Sequence, residues 1–335
     1  MCSQRPDTLK QAIVATFAAV SLLAAPGVSA AEPETDPEKI IDTLNAIFGK
    51  HQVRSSHAKG ICVKGTFTPA ADAAVLTKSE SLTKTAPVLG RFSIGGGNPK
   101  APDHAKAAPR GFAFRLDDGG KAPSGFAFLN TPVQFAKNPA QFLAFLEARL
   151  PGADGKPDPA RIKAFAEANP ETTRQGKWLA DRPVPASYAG VNYWGVHAFT
   201  LTNSKGESRV AKLKLVPASG EAGLSDDEAK AKPADFLGAE LGERLAKGPA
   251  SFDLVAILGE AGDPTNDATA MWPEESRKSV KLGSLAVAKI EDNATCDSGI
   301  FDPTQLADGI AGPKDDSLFA IRSPAYAISL SRRAK

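Results

Sequence analysis

Apolar residues recur along this 335-residue chain in two rhythms. A period of two starts at Ile61 and continues through Val63 to Phe67, with Lys64 and Thr66 between them. It predicts a half-buried β-strand beginning just after His57. The same short alternation predicts strands over 87–94, 111–116, 125–129, 193–202, 208–216, 251–259 and 281–290. Turn-forming clusters separate them: Gly95-Gly96-Gly97-Asn98-Pro99, Asp117-Asp118-Gly119-Gly120, and Asn203-Ser204-Lys205-Gly206, which reads as the loop of a hairpin.

The second rhythm is helical. Ile40, Ile41, Leu44, Ile47 and Phe48 share a face over 37–50, with Asp36 placed to cap and Pro37 to start the helix. Phe142, Leu143, Phe145, Leu146 and Leu150 do the same over 141–150, after Asn138-Pro139. A helix over 161–168 is stopped by Pro170. Ser225-Asp226-Asp227-Glu228 is a capping box opening a helical region to Lys247, interrupted at Pro233. A last helical pattern runs from 317 to 333. Strands therefore come as four and then four, with helices before, between and after. This predicts an α+β fold built on an eight-stranded antiparallel β-barrel, whose interior side chains just fill it. No linker splits the core, so 51–335 reads as a single domain, preceded by a tail and helix over 31–50.

The first thirty residues read differently. Arg5 and Lys10 form a basic start, 12–25 is an uncharged apolar run too short for a membrane span, and Val28-Ser29-Ala30 is a small-x-small cleavage site. The expectation is a secretory signal peptide over 1–30, export to a bacterial periplasm, and no stable membrane association afterwards. Net charge is +2 and no basic run is interleaved with aromatics, so no nucleic-acid partner is expected. Cys2 would leave with the leader. Cys62 and Cys296 could pair in an oxidising compartment only if their Cα atoms come close, which spacing along the chain does not decide.

Most familiar motifs are missing. Gly95-Gly96-Gly97 is followed by no Lys-Ser/Thr and opens no helix, so it is not a phosphate loop. There is no Gly-x-Ser-x-Gly elbow, and the four histidines, His51, His57, His104 and His197, form no His-Glu-x-x-His pair. His51 and His104 carry no assigned role, and His197 reads as structural. Asp226-Asp227 and Asp315-Asp316 sit at helix starts, where carboxylates suit the dipole. The stretch after Ile321 stands out: Arg322, Tyr326 and Arg333 can share one helix face. A guanidinium one turn away favours a phenolate, and Tyr is a known axial ligand of haem iron.

Several short motifs, in order, carry a resemblance. Arg54-Ser55-Ser56-His57-Ala58-Lys59-Gly60 resembles the distal-histidine segment of haem catalases. Pro87-Val88-Leu89-Gly90-Arg91-Phe92-Ser93, Pro109-Arg110-Gly111-Phe112-Ala113 and Asn130-Thr131-Pro132 are similar to the segments that follow it. Gly195-Val196-His197-Ala198-Phe199, Asn203 to Glu207, Asp263-Pro264-Thr265, Trp272-Pro273 and Lys281-Leu282-Gly283 resemble the second half. Arg322-xxx-Tyr326 resembles the proximal-tyrosine signature.

The resemblance implies haem, b-type, as cofactor, with Tyr326 as axial ligand of the iron and Arg322 as the cation keeping it ionised. It implies His57 as distal acid–base, oriented by Ser93. Arg54, Arg91 and Arg333 would clamp the haem propionates, and Phe142 would stack on the ring. One departure matters: the family's distal asparagine falls at Leu129, so either Asn130 takes that role or a distal hydrogen bond is lost. The chain also stops soon after Arg333, where full-size catalases continue into an NADPH-binding helical region, so no NADPH is expected.

The function implied is that of a short, exported catalase-related peroxidase. It would reduce hydrogen peroxide with small organic donors in oxidative-stress defence and retain weak catalase activity. The alternatives are an enzyme acting on organic or lipid hydroperoxides, and an exported haem-binding protein without chemistry.

Overall fold

The computed structural model describes residues 1–2, 35–117 and 123–333. The leader expected over 1–30 therefore falls almost wholly outside the described residues, as does part of the turn expected at 117–120.

Alternation in the sequence becomes eight long strands: β1 (Gly60–Pro69), β2 (Ala86–Ile94), β3 (Arg110–Leu116), β4 (Ser124–Leu129), β5 (Tyr193–Thr202), β6 (Ser208–Pro217), β7 (Ala250–Leu258) and β8 (Ser279–Ile290). Each begins or ends within two residues of the span expected from the alternation. Their order is β5-β4-β3-β2-β1-β8-β7-β6, every neighbouring pair is antiparallel, and β6 pairs back onto β5. The sheet closes on itself and leaves no free edge in the barrel wall. A two-residue strand, Ile310–Ala311, adds to the far end of β5.

The barrel interior is aromatic. Phe92 stacks on Phe112 at 4.0 Å and on Tyr188 at 5.1 Å, and Phe114 stacks on Phe126 and Phe128. Each such pair adds about 0.5–1.5 kcal/mol to the burial of the rings themselves. Tyr193 lies in the same core and donates its hydroxyl to the Tyr188 carbonyl at 2.8 Å, which removes the cost of burying it.

A second apolar cluster lies where three helices meet: α1 (Pro37–Phe48), α2 (Pro139–Glu147) and a carboxy-terminal helix. Ile40, Ile41 and Leu44 pack there on Leu143 and Leu146, with Phe142, Ile321, Ala325 and Ile328 at the margin. The caps match the sequence signals. Asp36 accepts from Glu38 N–H, Asn138 from Gln141 N–H, and Ser225 and Glu228 complete the capping box.

Between the two halves lie α3 (Pro159–Ala168) and α4 (Arg174–Ala180). The second was not expected: with Gly176 and Trp178 in so short a span it has little helical periodicity. After the capping box come α5 (Asp226–Ala231) and α6 (Phe236–Lys247), split around Pro233 as expected. The pattern over 317–333 is not one helix. A single turn, Ser317–Ala320, ends at Ile321, and α7 (Arg322–Arg333) starts afresh.

Candidate active site

His57 lies in the turn that leads into β1. It is the one non-glycine residue with positive φ, +53°, among the described residues. Such a backbone costs about 1–3 kcal/mol and persists only where neighbours fix it. Arg91 on β2 does the fixing: its guanidinium donates to the carbonyls of His57 and Ala58 at 2.8 and 2.9 Å. Gly60 permits the approach, since a Cβ there would meet the Arg91 guanidinium at 2.5 Å.

The imidazole is held at one nitrogen. His57 Nδ1 is 2.9 Å from the Ser93 hydroxyl, which in turn reaches the Gly111 carbonyl at 3.5 Å. If Ser93 donates to that carbonyl, it accepts from Nδ1–H, and Nε2 is left as the basic nitrogen. A side chain on Gly111 would meet Ser93 Oγ at 2.7 Å and the His57 ring at 2.9 Å, so only glycine fits beside the pair. Burial, reinforced by the positive charges of Arg91, Arg322 and Arg54, pushes the His57 pKa down to about 4. The ring is neutral at ordinary pH.

Arg322 also appears at the other side of the site. Of the three tyrosines, Tyr188 and Tyr193 are sealed in the barrel core, and burial raises both phenols. Tyr326 on α7 is different. Arg322, one turn earlier, donates to its phenol oxygen at 2.5 Å, which favours negative charge on that oxygen. The same guanidinium lies 3.1 Å from His197 Nε2, and His197 Nδ1 lies 2.6 Å from an Asp316 carboxylate oxygen. Asp316, His197, Arg322 and Tyr326 form one hydrogen-bonded chain. Asp316 fixes Nδ1 as the protonated nitrogen, so Nε2 accepts from Arg322 and orients it.

Neither His197 nor Asp316 was assigned a role from sequence. His197 read as a structural strand residue and Asp316 as a helix start. Asp316 is indeed the cap of the 317–320 turn, accepting from Phe319 N–H at 2.9 Å, but its second oxygen serves His197. His197 lies where the β5–β6 register shifts, between Trp194 and Ala198, and from there meets Asp316. An irregular pairing gives no signal in an alternating pattern.

The three arginines expected to act together do converge. Arg54 donates to the Asp297 carboxylate and to the Cys296 and Gly299 carbonyls. Arg333, at the end of α7, donates to the carbonyls of Asp297 and Gly299. Burial, together with the charge of Arg54, lowers Arg91 and Arg333 to about 10 each, and Arg54 is lowered by burial as well. The Asp297 carboxylate acts on all three. Three guanidiniums against one carboxylate leave a positive surplus that an anionic ligand would relieve. Arg91 contributes charge, but its nitrogens are spent mainly on the His57 turn.

Asn130 is engaged elsewhere. Its amide oxygen accepts from Arg110 N–H at 2.7 Å, and its carbonyl accepts from the Trp178 indole at 3.3 Å. Leu129 is paired across the sheet with Gly111, the residue beside His57 and Ser93. Its side chain packs against Val196, Ala268 and Leu318. Phe142 is half-buried and touches both this cluster and the helical one.

A family model described as catalase matches residues 40–334. The chain belongs to the catalase family. It is 36% identical over 327 residues to a catalase-related peroxidase of Synechococcus elongatus, covering 95% of this chain and 96% of that one. It is 33% identical over 304 residues to a catalase-related peroxidase of Mycolicibacterium paratuberculosis, covering 89% and 94%. A crystal structure of a fungal catalase superposes with a TM-score of 0.76 at 24% identity, over 84% of this chain and 59% of that one, and so shows the shared barrel fold. The chain is an oxidoreductase acting on peroxide, of the catalase-related peroxidase kind.

Catalases work with haem, and these residues fit one. A phenol oxygen held by a guanidinium suits a ferric ion, and a surplus of guanidinium charge at least half removed from solvent suits paired carboxylates.

Proposed function

We propose that this catalase-family enzyme is an exported haem-b peroxidase that reduces hydrogen peroxide with small organic electron donors and disproportionates peroxide only weakly. The leader-like residues 1–30 support export, and the Cys62–Cys296 disulfide suits an oxidising compartment such as the periplasm.

Tyr326 would ligate the iron, Arg54, Arg91 and Arg333 would face the propionates, and Phe142 would lie against the macrocycle. When bound, the haem supplies a metal that accepts a peroxide oxygen and stores the two oxidising equivalents.

The chain's own residues manage protons and orientation. His57 Nε2, neutral at working pH, accepts a proton from one peroxide oxygen and delivers it to the other, so that water leaves instead of hydroxide. Ser93 keeps the ring in the tautomer that can do this. Arg322, held by His197 and Asp316, stabilises negative charge on the Tyr326 oxygen.

Leu129 sets the balance between donors. Disproportionation needs a second peroxide held in reducing orientation by polar groups. Here the residue paired with Gly111 is apolar, and the Asn130 amide oxygen is engaged by Arg110. An organic donor needs no such anchor.

The observation that carries this reading is the chain from Asp316 to the Tyr326 oxygen, with His57 under the charge of the same Arg322. The test compares oxygen release with donor oxidation on the purified holoprotein, alongside its visible spectrum. Tyrosinate-ligated high-spin bands with donor oxidation dominant are expected. Oxygen evolution at the rate of a full catalase, or refusal of haem, overturns it. The apolar wall of Leu129, Val196 and Leu318 also favours alkyl hydroperoxides as a second substrate class, which product analysis would separate.

A further inference from the structure

The acceptors that hold Arg54 and Arg333 come from one short stretch, 296–299. It belongs to the five-residue turn Asn293–Asp297 and the loop after it. A helix of that length has no stability of its own. Burial is sparse along it: within 291–300 Cys296 is the one buried residue, 2% exposed, and the next is Phe301. Cys296 is disulfide-bonded to Cys62 in β1, with Cα atoms 5.7 Å apart and Cys62 fully enclosed. Backbone bonds brace the same point. Cys62 N–H donates to the Asn293 side chain, and the Cys62 carbonyl accepts from Glu291 N–H, both at 2.9 Å.

We propose that the Cys62–Cys296 disulfide is a positioning element of the arginine clamp: it pins the 296–299 stretch to the barrel wall, so that Arg54 and Arg333 are held ready for the acidic arms of the haem. The inference rests on the haem reading above. Without an anion beyond Asp297 the three guanidiniums repel one another, and the stretch that holds two of them is anchored in the core at Cys296, with Phe301 just beyond it in the same cluster. The bond supplies the rigidity that the short turn lacks. It also joins the two sides of the site, because Arg54 precedes His57 by one turn of chain and Arg333 ends the helix of Tyr326. The disulfide therefore acts on cofactor retention through placed hydrogen-bond acceptors, beyond any general stabilisation of the barrel.

The experiment compares the full holoprotein with C62S/C296S and with C62V/C296A, a second replacement that restores apolar volume. Two quantities are read: haem transfer to excess apomyoglobin, and amide hydrogen exchange resolved by peptide. The expected result is haem loss faster by about tenfold to a hundredfold, as for partners behind first ligands elsewhere. Exchange should rise over 291–301 and around Arg54 while β2 and β3 keep their protection. R333Q should add little to a chain already lacking the disulfide, because both changes loosen the same clamp. Unchanged haem transfer overturns the proposal, as does additivity with R333Q. Protection lost equally across the barrel, or failure of both variants to fold, assigns the bond to global stability and overturns it too. A wild-type chain that takes up no haem overturns the haem reading instead, while the exchange measurement still reports on the 296–299 stretch.

Discussion

Arg54 and Arg333 donate to the same carbonyl oxygen, that of Gly299, at 3.2 and 2.6 Å. One belongs to the turn that presents His57 and the other to the helix that presents Tyr326, so the two share an acceptor. A parallel link runs from Ser55 N–H to the Ser329 hydroxyl at 3.3 Å. The distal and proximal halves are thus tied side by side through hydrogen bonds. R333Q should leave the barrel folded, because α7 keeps its apolar contacts with α1. It should weaken haem retention by about tenfold or more, since a half-buried positive partner is lost. Haem transfer to apomyoglobin, with thermal unfolding as the control, checks both halves of the expectation.

His57 sets the acid limit of the reaction. Its neutral form is the one that accepts a proton, and its pKa lies near 4 because burial and three cations disfavour the imidazolium. The rate of reaction with peroxide should be flat from pH 5 to 8 and fall as pH drops through about 4. Folding stability follows the opposite linkage from a salt-bridged histidine. The unfolded chain takes up the proton near pH 6.5 and the folded one does not, so stability at this site declines as pH falls from about 6.5 to 4 and then levels off. His57→Ala should slow peroxide reduction by about a hundredfold to ten-thousandfold in stopped-flow absorbance and abolish the acid limb. A limb that survives in the variant assigns it to another group.

The Asp316 carboxylate does two jobs that one substitution separates. Asp316→Asn keeps an oxygen able to cap the 317–320 turn, yet presents an amide N–H to His197 Nδ1. The imidazole proton then moves to Nε2, where it confronts the Arg322 guanidinium, and the hydrogen bond that orients Arg322 toward Tyr326 is lost. The expected outcome is a folded protein whose tyrosinate bands shift or weaken. Replacement of a buried charged acceptor should also cost about 1.5–3 kcal/mol in urea unfolding. Asp316→Ala removes the cap as well and should cost about 1 kcal/mol more.

What was legible in the sequence divides along a physical line. Period-two patterning located all eight strands, because each has one face on a dry aromatic core; Phe92, Phe112 and Phe126 could not be moved by one residue without facing the wrong side. Caps and Pro233 marked helix ends for equally local reasons. Properties that depend on two distant segments meeting were not legible. The closing pair β5–β6 announces itself as a hairpin, but the shifted register at 195–197, where His197 lies, breaks no visible rule. Asp297 carried no signal because its partner, Arg54, lies at the other end of the chain. The pairing of Cys62 with Cys296 needed their separation in space. The break at Ile321 is likewise tertiary: the apolar spacing runs through it, while the turn before it is fixed by its Asp316 cap.

Leu129 is where a single side chain should change the reaction's outcome. It pairs with Gly111 in the sheet, Gly111 lies beside His57 and Ser93, and the Leu129 side chain packs against Val196 and Leu318. An asparagine has the branching of leucine, is smaller, and offers a donor and an acceptor. Leu129→Asn should therefore give a second peroxide a hydrogen-bond partner near His57 and raise oxygen release relative to donor oxidation by about tenfold, the worth of one good hydrogen bond. The exchange trades apolar packing for a polar group in a half-buried site, so a stability loss of about 1–3 kcal/mol should accompany it. Oxygen-electrode and donor-oxidation rates on the same preparation give the ratio directly. If the ratio stays fixed while the variant remains folded and loaded with haem, Leu129 is not what sets the balance, and the preference for donors must come from access to the haem edge.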